Sequence, residues 1–226
     1  MDALQNHQRR YLFITVFMSG MCVLALELSA SRLLGKAFGT GNTVWASVIG
    51  LTLLFLTLGY FLGGWLADRF PNQRTFYTVI CWGAFAGGAI PFLAMPLLPA
   101  VVRLVAPTEQ VVLLGSVATM FILLAAPGTL LGTVAPFAVR LAIDTTDHAG
   151  RVAGALYAVS TIGSILGSLL PSLVFISAVG TNLTILLFSA LLLTTGLIGL
   201  LISARQRAFH LSWMPVVLAL LAVFVL

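Results

Sequence analysis

Seven apolar runs, each on the scale of a bilayer crossing, take up nearly all of this 226-residue chain. They fall at about 11–34, 43–66, 76–90, 110–139, 152–179, 182–203 and 209–226. A spanning helix needs about 20 consecutive apolar residues to cover the hydrocarbon core. Spanning strands would instead alternate apolar and polar residues over segments of about ten, and these runs are apolar on every face. Only 8% of the residues are charged and 60% are hydrophobic, against about 25% charged in a soluble domain. So few charges cannot cover a globule, which excludes a soluble enzyme, a disordered chain and a secreted disulfide scaffold. The reading is an all-α, polytopic membrane bundle of about seven transmembrane helices.

Proline divides two of the runs. Pro91, Pro96 and Pro99 predict that the third helix kinks or becomes an interfacial piece beyond Ile90. The fourth run is too long for a straight span. Pro127, Gly128 and Pro136 are expected to break it, either to turn carbonyls towards a cavity or to kink it for packing. At the start, His7-Gln8-Arg9-Arg10 before an apolar run resembles a signal peptide, with Ser29-Ala30-Ser31 small enough for cleavage. The run is long enough to span and Glu27 interrupts it, so an uncleaved first helix is expected. At the other end Ala222-Val223-Phe224-Val225-Leu226 has no polar flank. Residues 1–203 read as a six-span bundle, and 204–226 as a basic loop and seventh span, either continuing into a longer protein or left in a member that lost its remainder.

The basic residues set an orientation. Arg9, Arg10, Arg69, Arg74, Arg140, Arg151, Arg205 and Arg207 fall on one side, and Arg32, Lys36 and Arg103 on the other. The side richer in Lys and Arg faces the cytoplasm, which predicts a cytoplasmic N-terminus. Such scattered positives, for all the net charge of +5, are loop charges and not a nucleic-acid footprint. Arg140, Asp144, Asp147, His148 and Arg151 read as a solvated mixed-charge loop. Cys22 and Cys81 lie inside apolar runs and read as small core residues, with no disulfide or metal framework.

Small residues recur four apart: Gly59 and Gly63, Gly83 and Gly87, Gly128 and Gly132, Gly163 and Gly167. In lipid, close backbone approach through small faces draws helices together. The fifth run is richest, with Gly154, Gly163, Gly167 and Ser160, Ser164 and Ser168, and is expected at the centre of the bundle. Glu27 lies about two-thirds along the first run, where an ionised group costs several kcal/mol unless paired or hydrated. Arg32 sits five residues on, about 140° round a helix, so a partner on another helix or a protonated carboxyl fits better. Glu27 is thus a proton or solute site, or an interhelical hydrogen bond that orients the first span. Arg32, Lys36, Asn42 and Trp45 read as snorkelling and aromatic-belt anchors, with Arg32 also taken beside Glu27 as an intramembrane charge and candidate proton or solute site. No Gly-rich phosphate loop and no His/Cys/Asp cluster at ligand spacing is present in the sequence. No catalytic residue, metal or cofactor is assigned to this chain.

Two resemblances add to this reading. Gly64-Trp65-Leu66-Ala67-Asp68-Arg69-Phe70-Pro71-Asn72-Gln73-Arg74 resembles the cytoplasmic signature after the second helix of the major facilitator superfamily, matching at Gly64, Asp68, Arg69 and Arg74. A longer match joins Ser19-Gly20, Glu27 to Leu34, Phe38-Gly39, Val44 to Gly50, Leu58 to Gly64, Pro127 to Gly132 with Pro136, and Gly150 to Gly154 with Tyr157-Ala158, Ser160-Thr161 and Gly163. Over about residues 11–203 the chain resembles the membrane part of bacterial proteins that fuse a facilitator-like bundle to a spermidine synthase-like domain. That resemblance implies a six-helix facilitator half in the bacterial inner membrane. It also implies a small, polyamine-like solute that is transported or presented, with Asp68, Arg69 and Arg74 as a cytoplasmic latch. The alternative is a non-transporting scaffold that anchors a synthase-type enzyme. Implied partners are the bilayer, a second copy or second membrane half, and a soluble aminopropyltransferase domain that no stretch here supplies.

Overall fold

The computed structural model describes residues 2–104, 109–143 and 148–225. Its helices are α1 (Asp2–Phe38), α2 (Asn42–Arg69), α3 (Gln73–Leu104), α4 (Glu109–Gly132), α5 (Val134–Ala142), α6 (Ala149–Leu170), α7 (Ile176–Val179), α8 (Thr181–Ser203), α9 (Arg205–Leu211) and α10 (Trp213–Val225), with no strand among the described residues. A π-helical turn, Pro171–Phe175, joins α6 to α7. Seven helical stretches are long and apolar enough to cross a membrane, from Gln8–Phe38 to Gln206–Phe224. The chain is a multi-pass membrane protein. Leu53, Phe61, Trp65, Leu114, Leu173 and Val223 are exposed on its outer surface, the composition a lipid-facing surface needs. Asp144 and Asp147 of the mixed-charge loop lie outside the described residues.

Two proline expectations are corrected. α3 does not end or turn interfacial at Ile90 but runs through Pro91, Pro96 and Pro99 to Leu104. Each proline removes one helical hydrogen bond, whereas unwinding in lipid would leave a whole turn of backbone groups unpaired. The fourth span likewise passes helically through Pro127 and Gly128, so no break occurs there. It is interrupted at Thr133, between α4 and α5. Pro136 explains the position, because its ring and missing N–H act on the carbonyl four residues back, at Gly132. The Thr133 N–H and hydroxyl both turn to Leu130 O, at 3.2 and 2.7 Å. In the fifth span Pro171 acts differently: the backbone slips one residue, and Ile176 N donates to Pro171 O.

Reversals follow glycine. Gly39 and Gly180 both have φ +82°, where a Cβ would be strained. Their N–H groups cap the preceding helices on Gly35 O and Ile176 O, at 3.0 and 3.1 Å. At the α2–α3 turn the Asn72 side chain accepts from Thr75 N at 2.8 Å and caps α3.

The helices pair through the small residues. α1 packs on α6, α2 on α4 and α5, and α3 on α8. A Cβ on Gly163 or Gly167 would overlap the α1 backbone at Phe17 and Met21, and one on Gly59 would lie 2.7 Å from Gly132 Cα. The α3–α8 contact sets Gly196 against Cys81 and Gly199 against Tyr77. The fifth span is not central: 22% of its apolar window is buried, against 56% in the first and sixth spans. Its small face packs chiefly on α1, while α1 and α8 are surrounded. Gly154 takes no part, with nothing within 4 Å of an added Cβ.

One end of the bundle gathers the start of α1, the α2–α3 turn and the α8–α9 junction, which line a common cavity of about 750 Å³. Arg74 and Arg207 face this cavity with Gln8, and Arg140 closes the end of α5 nearby. This is the basic end. Above it the rings of Tyr11, Phe76, Tyr77 and Phe137 pack tilted or edge-on at centroid distances of 5.0 to 5.9 Å, and Tyr11 Oη donates to Thr195 O at 2.6 Å. The α1–α2 turn lies at the far end.

Candidate functional site

α1 spends its tightest contacts on α6 and α2 spends its own on α4, so the seam between α1 and α2 is only loosely filled. Three cavities follow it. At the far end a mouth of about 500 Å³ is lined by Ser31, Arg32, Lys36, Thr40, Trp45 and Val48. Deeper, a chamber of about 20 Å³ is walled by Leu26, Glu27, Thr52, Phe55, Pro127 and Gly128. Towards the basic end a third cavity, about 120 Å³, is bordered by Ser19, Tyr60, Gly132, Ala135, Ser160 and Ser164. The two inner cavities share Val23, Leu56 and Leu131. Ser31 is one turn from Glu27, and Val48 one turn from Thr52, so mouth and chamber occupy successive turns of the same two antiparallel helices.

Glu27 is half-buried in the narrowest part. Among the described residues the one ion pair is Arg140 Nε to Asp68 Oδ1 at 3.4 Å, so no basic group neutralises Glu27. Thr52, facing it across the chamber, is 6% exposed, and its Oγ1 is turned to the Glu27 carboxyl and makes no bond back to its own helix. That is unusual in this bundle. Thr15, Ser47, Thr57, Thr119, Thr184 and Thr195 all return their hydroxyls to the carbonyl four residues back, at 2.7 to 2.9 Å. Such back-bonding is the default for a hydroxyl with no water available. Ser29 and Ser189 are buried without partners. Pro127, in the chamber wall, leaves the Leu123 carbonyl without its helical donor.

The break in the fourth span borders the same seam, since Gly132, Val134 and Ala135 line the larger inner cavity. The helix thus opens towards a cavity, three residues before Pro136 and not at Pro127-Gly128.

The residues singled out by sequence are separated by the structure. Arg32 is exposed in the mouth, apart from the Glu27 chamber. Asp68 meets Arg140 at the end of α5, not Arg69 or Arg74, and both partners are exposed, at 79% and 52%. Arg74 belongs to the basic-end cavity with Arg207. Gly64 has nothing within 4 Å of an added Cβ, whereas Gly63 lies against Thr133 and Pro136. Cys22 Sγ donates to Phe188 O at 3.3 Å, and both cysteines are buried and free. Thr52, Tyr60 and Ser19 were missed by sequence reasoning, because a Thr, Tyr or Ser within an apolar run gives no sign of which neighbour it faces. No three described His, Cys, Asp or Glu side chains are grouped so as to hold a metal ion.

No protein-family model, curated protein or solved structure matches the chain.

Proposed function

We propose that the chain is the membrane module of a spermidine synthase-like protein of the bacterial inner membrane, and that it transports or presents a small solute along the α1–α2 seam. The bundle is read as a facilitator-like half with its N-terminus in the cytoplasm, which makes the basic end the inner end. The observation that carries the reading is the row of cavities from mouth to inner half, with an unpaired carboxyl at the constriction. An intramembrane acid facing a cavity marks a solute or ion path by default.

A polyamine-like cation is the solute that the resemblance implies, and Glu27 is the one acidic group along the seam. Arg32 and Lys36 at the mouth, like Arg74 and Arg207 at the inner end, oppose a cation there. A complete pathway would lie between this half and a second copy or second half.

Proteoliposomes holding the purified chain test the proposal. Uptake of labelled polyamine that falls at least tenfold in Glu27→Gln supports it. A lack of flux for every polyamine, at any pH and in either direction, overturns it. The tight constriction favours the second reading in that event, a scaffold that anchors a synthase-type enzyme. Co-purification of a soluble synthase with the flux-inactive chain would then support the scaffold.

A further inference from the structure

We propose that the Glu27–Thr52 chamber holds a single ordered water and a carboxyl that carries its proton in the resting protein, so that it is a proton site and not the berth of an organic solute. The inference deepens the carrier reading above and rests on it for a role in a cycle. Its physical content rests on the chamber itself.

Size decides first. A cavity of about 20 Å³ accommodates one water, for which about 10–15 Å³ is the minimum on this measure. A polyamine, or any solute of several heavy atoms, does not fit. The adjoining cavity of about 120 Å³ takes a few waters, at about 30 Å³ each, between the hydroxyls of Ser19, Tyr60, Ser160 and Ser164.

Polar satisfaction decides second. A buried water needs two to four partners. The chamber presents the Glu27 carboxyl and the Thr52 hydroxyl, the latter 94% buried, turned to that carboxyl and making no bond to its own helix. The threonines that back-bond to their own helices show what Thr52 does when nothing else is offered. A hydroxyl turned from that bond towards a carboxyl and a water-sized space is placed for a guest that both donates and accepts.

Charge decides third. The ionisable groups of every packed element are elsewhere. α2 contributes Thr52, Phe55 and Leu56 to the wall, and α4 contributes Leu124, Pro127, Gly128 and Leu131. On α1 itself Arg32 is exposed in the mouth. α6 carries Arg151 and exposed Tyr157, both towards the basic end, and α8 has no ionisable side chain. On α3, Arg74 lies at the basic end, Tyr77 and Cys81 pack on α8, and Arg103 falls at the opposite terminus. Tyr60 borders the next cavity. With no counter-ion at this depth the neutral acid is the form the chamber accepts. A hydronium reaching the chamber loses one O–H bond, the carboxylate gains it, and a neutral water remains as the guest.

The chain has only two glutamates, Glu27 and Glu109, which makes the test direct. The full chain is reconstituted in nanodiscs and its infrared spectrum recorded at neutral pH with ¹³C-carboxyl glutamate, in wild type and in Glu109→Gln. The expected result is an isotope-sensitive C=O band of a protonated acid that survives Glu109→Gln, disappears in Glu27→Gln, and changes frequency in Thr52→Val. Spermidine is expected to leave the band unchanged. Absence of the band at neutral pH in the folded Glu109→Gln protein overturns the proposal, as does a band abolished by spermidine. The labelled Glu109→Gln protein keeps the test valid if Glu27→Gln fails to fold. A titrating band without polyamine flux sinks the carrier reading and leaves the proton site standing. Flux without the band does the reverse.

Discussion

Gly59→Ala adds one methyl group at the closest approach of α2 to α4. The new Cβ would lie 2.7 Å from Gly132 Cα and 3.0 Å from its carbonyl carbon, and would overlap Thr129 O. All of these atoms are backbone, so no side chain can rotate away. Restoring an ordinary carbon contact of about 3.5–4.0 Å requires the helices to separate by roughly 1 Å. A gap of that size forfeits a quarter to a half of each dispersion contact along the interface. Lipid supplies no hydrophobic compensation, because the released faces are as content in acyl chains as against each other. Overpacking of this kind costs about 1–3 kcal/mol, or roughly a 5- to 150-fold fall in the folded-to-unfolded ratio.

Gly154→Ala is the matched control on α6, where nothing lies within 4 Å of the added atom. There alanine gains up to about 1 kcal/mol of helix propensity in the folded state. Both variants are measured by denaturant or thermal unfolding of the purified chain in one detergent. The expected order of stability is Gly154→Ala at or above wild type and Gly59→Ala well below it. Equal stabilities for wild type and Gly59→Ala, in a protein that is folded by circular dichroism, would refute backbone-to-backbone packing as the basis of the α2–α4 pair.

Pro136→Ala should restore a donor to the Gly132 carbonyl and join α4 to α5, slowing amide exchange in the first turn of α5 by up to about a hundredfold, from the roughly 3 kcal/mol scale of a helix-interior proline; unchanged exchange there removes Pro136 as the cause of the break. Asp68→Asn should cost no more than about 1 kcal/mol in the same unfolding assay, since both members of the Asp68–Arg140 pair are exposed, and a loss above roughly 2 kcal/mol would mean that the latch is structural. Single cysteines placed at Asn72 and Thr40, after Cys22 and Cys81 are replaced by alanine, should label from opposite faces, with Asn72→Cys reacting only from the cytoplasmic side; the reverse pattern inverts the proposed orientation.

The number of spans could be read from the sequence because it depends on a one-dimensional quantity, the length of apolar chain against the thickness of a bilayer. The clustering of basic residues at one end has the same origin, and Arg74 and Arg207 do share a cavity there. What could not be read was choice among equivalent local signals. Gly154, Gly163 and Gly167 are the same residue on one helix, yet only two of them touch α1. Pro127 and Pro136 both lie in one span, yet the helix breaks for Pro136 alone, beside Gly63 and a cavity. Asp68 had a plausible partner nearby in Arg69 or Arg74 and took Arg140, distant in sequence. In each case the deciding neighbour comes from another helix.

The same reasoning accounts for where the candidate site sits. Tight helix contact in lipid needs small residues on facing sides, and this chain supplies them for three pairs: α1 with α6, α2 with α4, and α3 with α8. α1 and α2 are joined by a short turn, yet at the level of Glu27 they face each other through Val23, Leu26, Thr52, Phe55 and Leu56, whose bulk holds the backbones apart. Space left at such a seam is costly when its walls are apolar, and it becomes useful only where polar groups line it. Glu27 and Thr52 occur at that level, and the hydroxyls of Ser19, Tyr60, Ser160 and Ser164 border the next cavity. The glycines therefore act on the site without touching the chamber carboxyl. By fixing which helices close on one another, they fix which seam stays open, and the open seam is the one that carries the unpaired acid.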